Sequence, residues 1–161
     1  RHTRFRNVTG VQTCALPIST FTINSYTLSV TAGTGGSVQT VNASGDQIAG
    51  IDCAAGATCT NSYTYGSTVR LKAVPGATYR FGSWNVGGLC AGQGATCLLT
   101  IPDSGPSVTA TFVKQYLISI DTSTKGYIGG TGISCGSGAP TPTSCSTWID
   151  TGLSKIGRAH V

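Results

Sequence analysis

Glutamate and methionine are absent from this 161-residue sequence, charged residues make up 9% of it and aromatic residues 7%. An ordinary soluble domain carries roughly 25% charge, so coiled coils laced by ion pairs and charged solvating tails are excluded. No apolar run approaches the ~20 residues that a membrane-spanning helix needs. Disorder is excluded as well, because charge is low while Val, Ile, Leu and aromatic residues recur at short intervals. Histidine occurs only as His2 and His160. What is abundant is Gly (23), together with Ser, Thr and seven cysteines.

The formal charge of +5 would suit a polyanionic partner, but it depends on the two ends. One coding of Gln12–Ile18, read on its opposite strand, yields Ile-Gly-Arg-Ala-His-Val, which is the sequence of 156–161. That inverted relation resembles a sequencing-library adapter read through at both ends of an insert. Residues 1–18 and 156–161 are therefore expected to be translated adapter and are set aside, as targeting and processing segments are. With them go Arg1, Arg4, Arg6, Arg158, both histidines and Cys14. Six basic residues then face five aspartates and the cysteine count becomes even. No nucleic-acid partner is expected, and no membrane insertion of this segment.

Within 19–155 the chain repeats itself. Tyr26-Thr-Leu-Ser-Val30 returns as Tyr116-Leu-Ile-Ser-Ile120, each followed by a Gly-rich stretch (33–36 and 126–130) and a cysteine pair. Asn61-Ser-Tyr-Thr-Tyr-Gly66 is echoed by Ser146-Thr-Trp-Ile-Asp-Thr-Gly152. The apolar period is two, which predicts strands. Val69, Leu71 and Ala73 fall on one face and Arg70 and Lys72 on the other; Val108, Ala110 and Phe112 alternate with threonines. Tyr79–Phe81 and Leu99–Ile101 follow the same pattern, no window shows a helical face, and Gly or Pro interrupts nearly every stretch long enough for three helical turns. The expected organisation is a leader at 19–25, a complete antiparallel β unit at 26–114, and a truncated second unit at 115–155. Val113-Lys-Gln115 is read as the short linker joining them.

In order along the first unit stand Tyr26–Val30, Gly35-Gly36-Ser37-Val38, then Gly66-Ser-Thr-Val-Arg-Leu-Lys-Ala-Val-Pro75, Phe81-Gly-Ser-Trp84 and Val108-Thr-Ala-Thr-Phe112. This series resembles the divergent InlB-type B-repeats of bacterial surface and secreted proteins, in their cysteine-bearing variety. The resemblance implies an all-β fold of small antiparallel sheet units, β-grasp-like at most, with a short helix or turn near the crossover. It also implies spacer or adhesion modules, with no catalytic residues to carry over.

The six remaining cysteines form three close pairs, Cys53/Cys59, Cys90/Cys97 and Cys135/Cys145. Six cysteines allow fifteen connectivities and the sequence does not choose among them. Local bridges are favoured, since each cluster is even and sits in a pliable Gly/Ala/Ser/Thr loop. Closing a loop of about seven residues would contribute about 2.4 kcal/mol on the chain-entropy model. Persistent disulfides imply an oxidising compartment, the cell surface or medium, with the periplasm as the alternative. A zinc site is disfavoured because its ligand pairs are usually separated by two to four residues, fewer than here.

Without histidine or glutamate, acid–base work falls to Asp46, Asp52, Asp103, Asp121 and Asp150. An Asp46/Asp52 dyad is conceivable for glycoside chemistry, but Ser44-Gly45-Asp46 and Asp103-Ser-Gly-Pro106 read as turns. A calcium loop would need denser acidity. The glycine runs lack phosphate-binding spacing and a following helix, and are read as hairpin turns. Asn42-Ala-Ser44 is a glycosylation sequon. Phe81, Trp84 and Phe112 are expected in the core, whereas Tyr63 and Tyr65 share one face and are the candidate glycan contacts. The reading is a non-catalytic, disulfide-stapled extracellular spacer or adhesion repeat, with a carbohydrate-binding module as the alternative. No cofactor or metal is expected. The expected partners are neighbouring repeats of the chain and a cell-surface glycan or protein.

Overall fold

The computed structural model describes residues 23–121, 126–130, 132–139 and 143–153, and the backbone of 158–160. Every element is a strand: β1 (Ser25–Ala32), β2 (Gly36–Val41), β3 (Gln47–Cys53), β4 (Thr58–Thr64), β5 (Thr68–Pro75), β6 (Tyr79–Trp84), β7 (Thr96–Thr100), β8 (Ser107–Ser119), β9 (Tyr127–Gly130), β10 (Ile133–Gly136), β11 (Ser146–Asp150) and β12 (Arg158–His160). No helix forms among the described residues. The crossovers that a β-grasp would fill with a helix are made here by Gly-rich turns and stapled loops.

Two sheets build the first unit. One is ordered β3-β2-β5-β7; in the other, β4, β1 and β8 lie side by side and β6 pairs with β8. All pairings are antiparallel except β1 with β8, where Ser29, Val30, Thr31 and Ala32 run parallel to Ser107, Val108, Thr109 and Ala110. The period-two pattern of the sequence decides which side chains meet. Leu28 and Val30 of β1, Val69, Leu71 and Ala73 of β5, and Val108 and Ala110 of β8 are buried in one core with Val38, Ile51, Trp84, Leu99 and Ile101. Phe81 and Phe112 pack against that core half-buried, their ring centroids 6.4 Å apart. At the β1–β2 turn the chain passes so close to Phe112 that a Cβ on Gly36 would lie 2.4 Å from its ring.

The second unit repeats the first in register. Residues 115–119 of β8 pair antiparallel with β11 as β1 pairs with β4. The β9–β10 hairpin sets Ile128 opposite Cys135, where β2–β3 sets Val38 opposite Cys53. Arg158–His160, in the tail expected to be adapter, runs antiparallel to β9 with Ala159 opposite Ile128, the place Ala73 of β5 takes against Val38. An open strand edge pairs through backbone alone, so β12 takes that place without the alternating apolar side chains of β5.

One expectation is corrected. Val113-Lys-Gln115 is not a linker, because β8 runs unbroken from Ser107 to Ser119 and carries the chain from one unit into the next. Neighbours on both sides claim its backbone: the Gln115 N–H donates to the Thr78 carbonyl (2.8 Å) and the Lys114 carbonyl accepts from the Thr151 N–H (2.9 Å).

Candidate functional site

Three bridges close locally: Cys53–Cys59, Cys90–Cys97 and Cys135–Cys145, with Cα separations of 5.6, 5.4 and 4.7 Å. Their placement is not arbitrary. Each spans a connection where the chain leaves one sheet for another: β3 to β4, β6 to β7 and β10 to β11. Such crossovers lack ladder hydrogen bonds along their length, so a covalent tie there offsets what the backbone cannot supply. The Cys53 sulfur lies 3.5 Å from the Val30 carbonyl, and the Cys135 sulfur lies 3.7 Å from the carbonyl of Ile120, Val30's counterpart.

The middle staple is built into the core. Cys90 and Cys97 are fully buried, and the Trp84 indole N–H reaches across to donate to the Gly94 carbonyl at 2.7 Å. Gln93 completes the loop, donating to the carbonyls of Leu89 and Leu98 and accepting from the Leu98 N–H. These side-chain bonds from Trp84 and Gln93 tie the loop to the strands that flank it.

The aspartates considered for chemistry lie elsewhere. Asp46 accepts from the Asn42 amide (3.1 Å) while its own N–H donates to the Asn42 side-chain oxygen (2.9 Å), so both close the β2–β3 turn. Asp52 is exposed on β3. Among the described residues, no three His, Cys, Asp or Glu side chains gather where an ion could be held.

Tyr63 and Tyr65 sit in different surroundings. The Tyr63 ring packs against the core and its hydroxyl lies 3.3 Å from the Thr40 hydroxyl. Gly50 makes room for that meeting, since a Cβ there would collide with both oxygens. Tyr65, 58% exposed, meets Tyr26 edge-on at 6.2 Å. Tyr63 also lines a shallow cavity of about 300 Å³ with Asn42, Ile48, Thr68, Arg70 and Leu98.

Two features escape sequence reasoning. On the outer face of the second unit, Leu117 pairs across the strands with Trp148, both about half exposed, where the first unit carries the hydroxyl pair Thr27 and Ser62. The second is an ionic cluster at the junction. Arg80 on β6 grips Asp150 on β11 with two donors, its Nε lying 2.8 Å from Oδ1 and its Nη2 facing Oδ2. Gln115 Nε2 adds a third hydrogen bond to Oδ1 at 3.0 Å. The Arg80 hydrogen bonds hold the Asp150 carboxyl below its ordinary range, against a smaller opposing effect of lost hydration. The same bonds raise Arg80. No spacing rule could join two residues so far apart in sequence. The echo between 61–66 and 146–152, which aligns Asp150 with Thr64, is the one signal that could have singled this aspartate out.

Residues 26–115 match the divergent InlB B-repeat domain model, ending inside β8. No curated protein and no solved structure matches the chain.

Proposed function

This chain belongs to the divergent InlB B-repeat family, and from that premise we propose that it is a force-bearing, non-catalytic spacer in the stalk of a bacterial surface protein. Membership makes it a repeat module of the kind carried by surface proteins, in a family that is generally non-catalytic, and the three disulfides suit an extracellular setting.

The observation that carries the spacer reading is the parallel pairing of β1 with β8. Tension enters the unit at the start of β1 and leaves it at the end of β8. Because these strands are parallel neighbours, pulling slides one along the other. All of their hydrogen bonds, including Ser29 N–H to the Pro106 carbonyl and Gly33 N–H to the Ala110 carbonyl (both 2.9 Å), are then loaded together in shear. Antiparallel neighbours pulled at a shared end peel apart one bond at a time.

Single-molecule pulling tests this. Held by handles before Ser25 and after Ser119, the unit is expected to rupture at a force well above that found with handles at Ser25 and Gly66. In the second geometry Ser25 and Thr64 are paired, so tension peels β1 from β4. Equal rupture forces in the two geometries would refute the reading.

Glycan contact is the second reading, and the exposed Trp148 favours it, since an indole face stacks on a sugar ring. It predicts retention on a glycan array that is lost in Trp148→Ala, or in Tyr63→Ala and Tyr65→Ala if the tyrosines are the contacts. An empty array would end it.

A further inference from the structure

We infer that the junction between the two units is a fixed joint, in which the continuous strand β8 sets the axis and the Arg80–Asp150–Gln115 cluster locks the angle about it. This deepens the spacer reading and rests on it for its use, while its geometry stands on different residues.

A strand bonded on one edge bends and twists easily; one bonded where two partners meet does not. Around residue 114, β8 passes from one unit's partner to the next. Tyr79 of β6 is opposite Lys114 and Asp150 of β11 is opposite Gln115. Beyond the last rung, the Thr151 N–H and hydroxyl both donate to the Lys114 carbonyl, at 2.9 and 3.0 Å. Lys114 Nζ lies 5.1 Å from the centre of the Tyr116 ring. These bonds limit rotation about β8 without setting its angle.

The ionic cluster adds direction. Arg80 belongs to the first unit and Asp150 to the second, so their two-pronged contact exists at one relative orientation only. A guanidinium fork meeting a carboxylate fixes a plane as well as a distance, which a lysine could not do. The side chain of Asp150 is only 19% exposed and its Oδ1 is shared between Arg80 and Gln115. Exposed ion pairs add little stability by themselves; what this one supplies is alignment. In the register of the repeat, Asp150 corresponds to Thr64 and Gln115 to Ser25, so the clasp belongs to this joint and is not a property of every position in the repeat.

The test is orientational order in the full, oxidised chain. Residual dipolar couplings of backbone amides in a dilute aligning medium are expected to fit one alignment tensor across 26–114 and 115–153. Arg80→Asp and Asp150→Arg should each split the fit into two tensors of unequal magnitude. The exchange Arg80→Asp with Asp150→Arg should restore a single tensor. The Trp84 indole N–H resonance reports that the first unit remains folded in every variant. Two tensors in the unaltered chain, or one tensor retained in both single variants, would overturn the inference. Neither result would touch the shear argument, which concerns β1 and β8 within one unit and is read by rupture force.

Discussion

Removing the Cys90–Cys97 staple by Cys90→Ala with Cys97→Ala probes how far this module relies on covalent closure. The separation of seven residues corresponds to about 2.4 kcal/mol of chain entropy. Both sulfurs are fully buried, and truncating each to a methyl group leaves a small void costing about 0.5–1 kcal/mol. The loop that Trp84 clasps through Gly94 must also be ordered without its tie. The sum is about 4 kcal/mol, a large share of the 5–15 kcal/mol typical of a domain. Cys53–Cys59 closes a loop of nearly the same length, with Cys59 only half-buried and no indole seated in its loop. Cys53→Ala with Cys59→Ala is therefore expected to cost about 1 kcal/mol less. Urea titration followed by Trp fluorescence measures both, with the slope m checked for constancy so that midpoints convert to free energies. Equal losses from the two pairs would refute the burial argument. Losses below about 1 kcal/mol from both would refute the idea that the crossovers depend on their staples.

Gly36→Ala presses a methyl group against the Phe112 ring at 2.4 Å and should destabilise the unit by about 1–3 kcal/mol, measured by the same titration; a neutral effect would mean that the β1–β2 turn or the Phe112 ring can shift. Trp84→Phe keeps the apolar body but removes the donor to Gly94, at a cost of about 1 kcal/mol. The joint should also respond to acid. The Asp150 carboxyl is lowered in the folded chain chiefly by hydrogen bonds from Arg80, so its contribution is complete above the ordinary value of 3.8 and is lost as pH falls below it toward the folded value. A ¹³C-carboxyl titration of Asp150 should therefore show a midpoint under 3.8, and Arg80→Met should bring it back up. A midpoint unmoved by Arg80→Met would show that the ion pair is not formed in solution.

How much of this was legible depends on whether a residue's role is set by its near neighbours or by distant ones. Val69-Arg-Leu-Lys-Ala73 announces β5 because its buried face alternates with charge, and the structure buries Val69, Leu71 and Ala73 as that alternation requires. The strands β3 and β4 announce nothing. Thr58–Thr64 is Thr, Cys, Thr, Asn, Ser, Tyr, Thr, and becomes a strand because β1 supplies seven paired positions along it. Its threonines and tyrosine favour an extended chain, but with no alternating apolar residues it is the pairing with β1 that fixes its place. The tyrosines show the same limit: period two puts Tyr63 and Tyr65 on one side, but only the fold reveals that Tyr63 spends its ring on the core and its hydroxyl on Thr40.

The junction is the extreme case. Val113-Lys-Gln115 looks like a linker because it falls between two repeats of a pattern, and pattern boundaries usually coincide with flexible chain. Here the boundary of the repeat and the boundary of the strand differ by several residues, so the element that ends one unit begins the next. A repeat read from sequence fixes the period but leaves open whether neighbours share secondary structure, and sharing it changes the mechanics. Tethered units lengthen under small loads by straightening their linkers. Units that share a strand and are clasped at the seam pass tension through that strand directly into the β1–β8 ladder of the first unit. For a spacer that property matters more than the fold of any single unit, and it is carried by Arg80 and Asp150, which no local pattern connects.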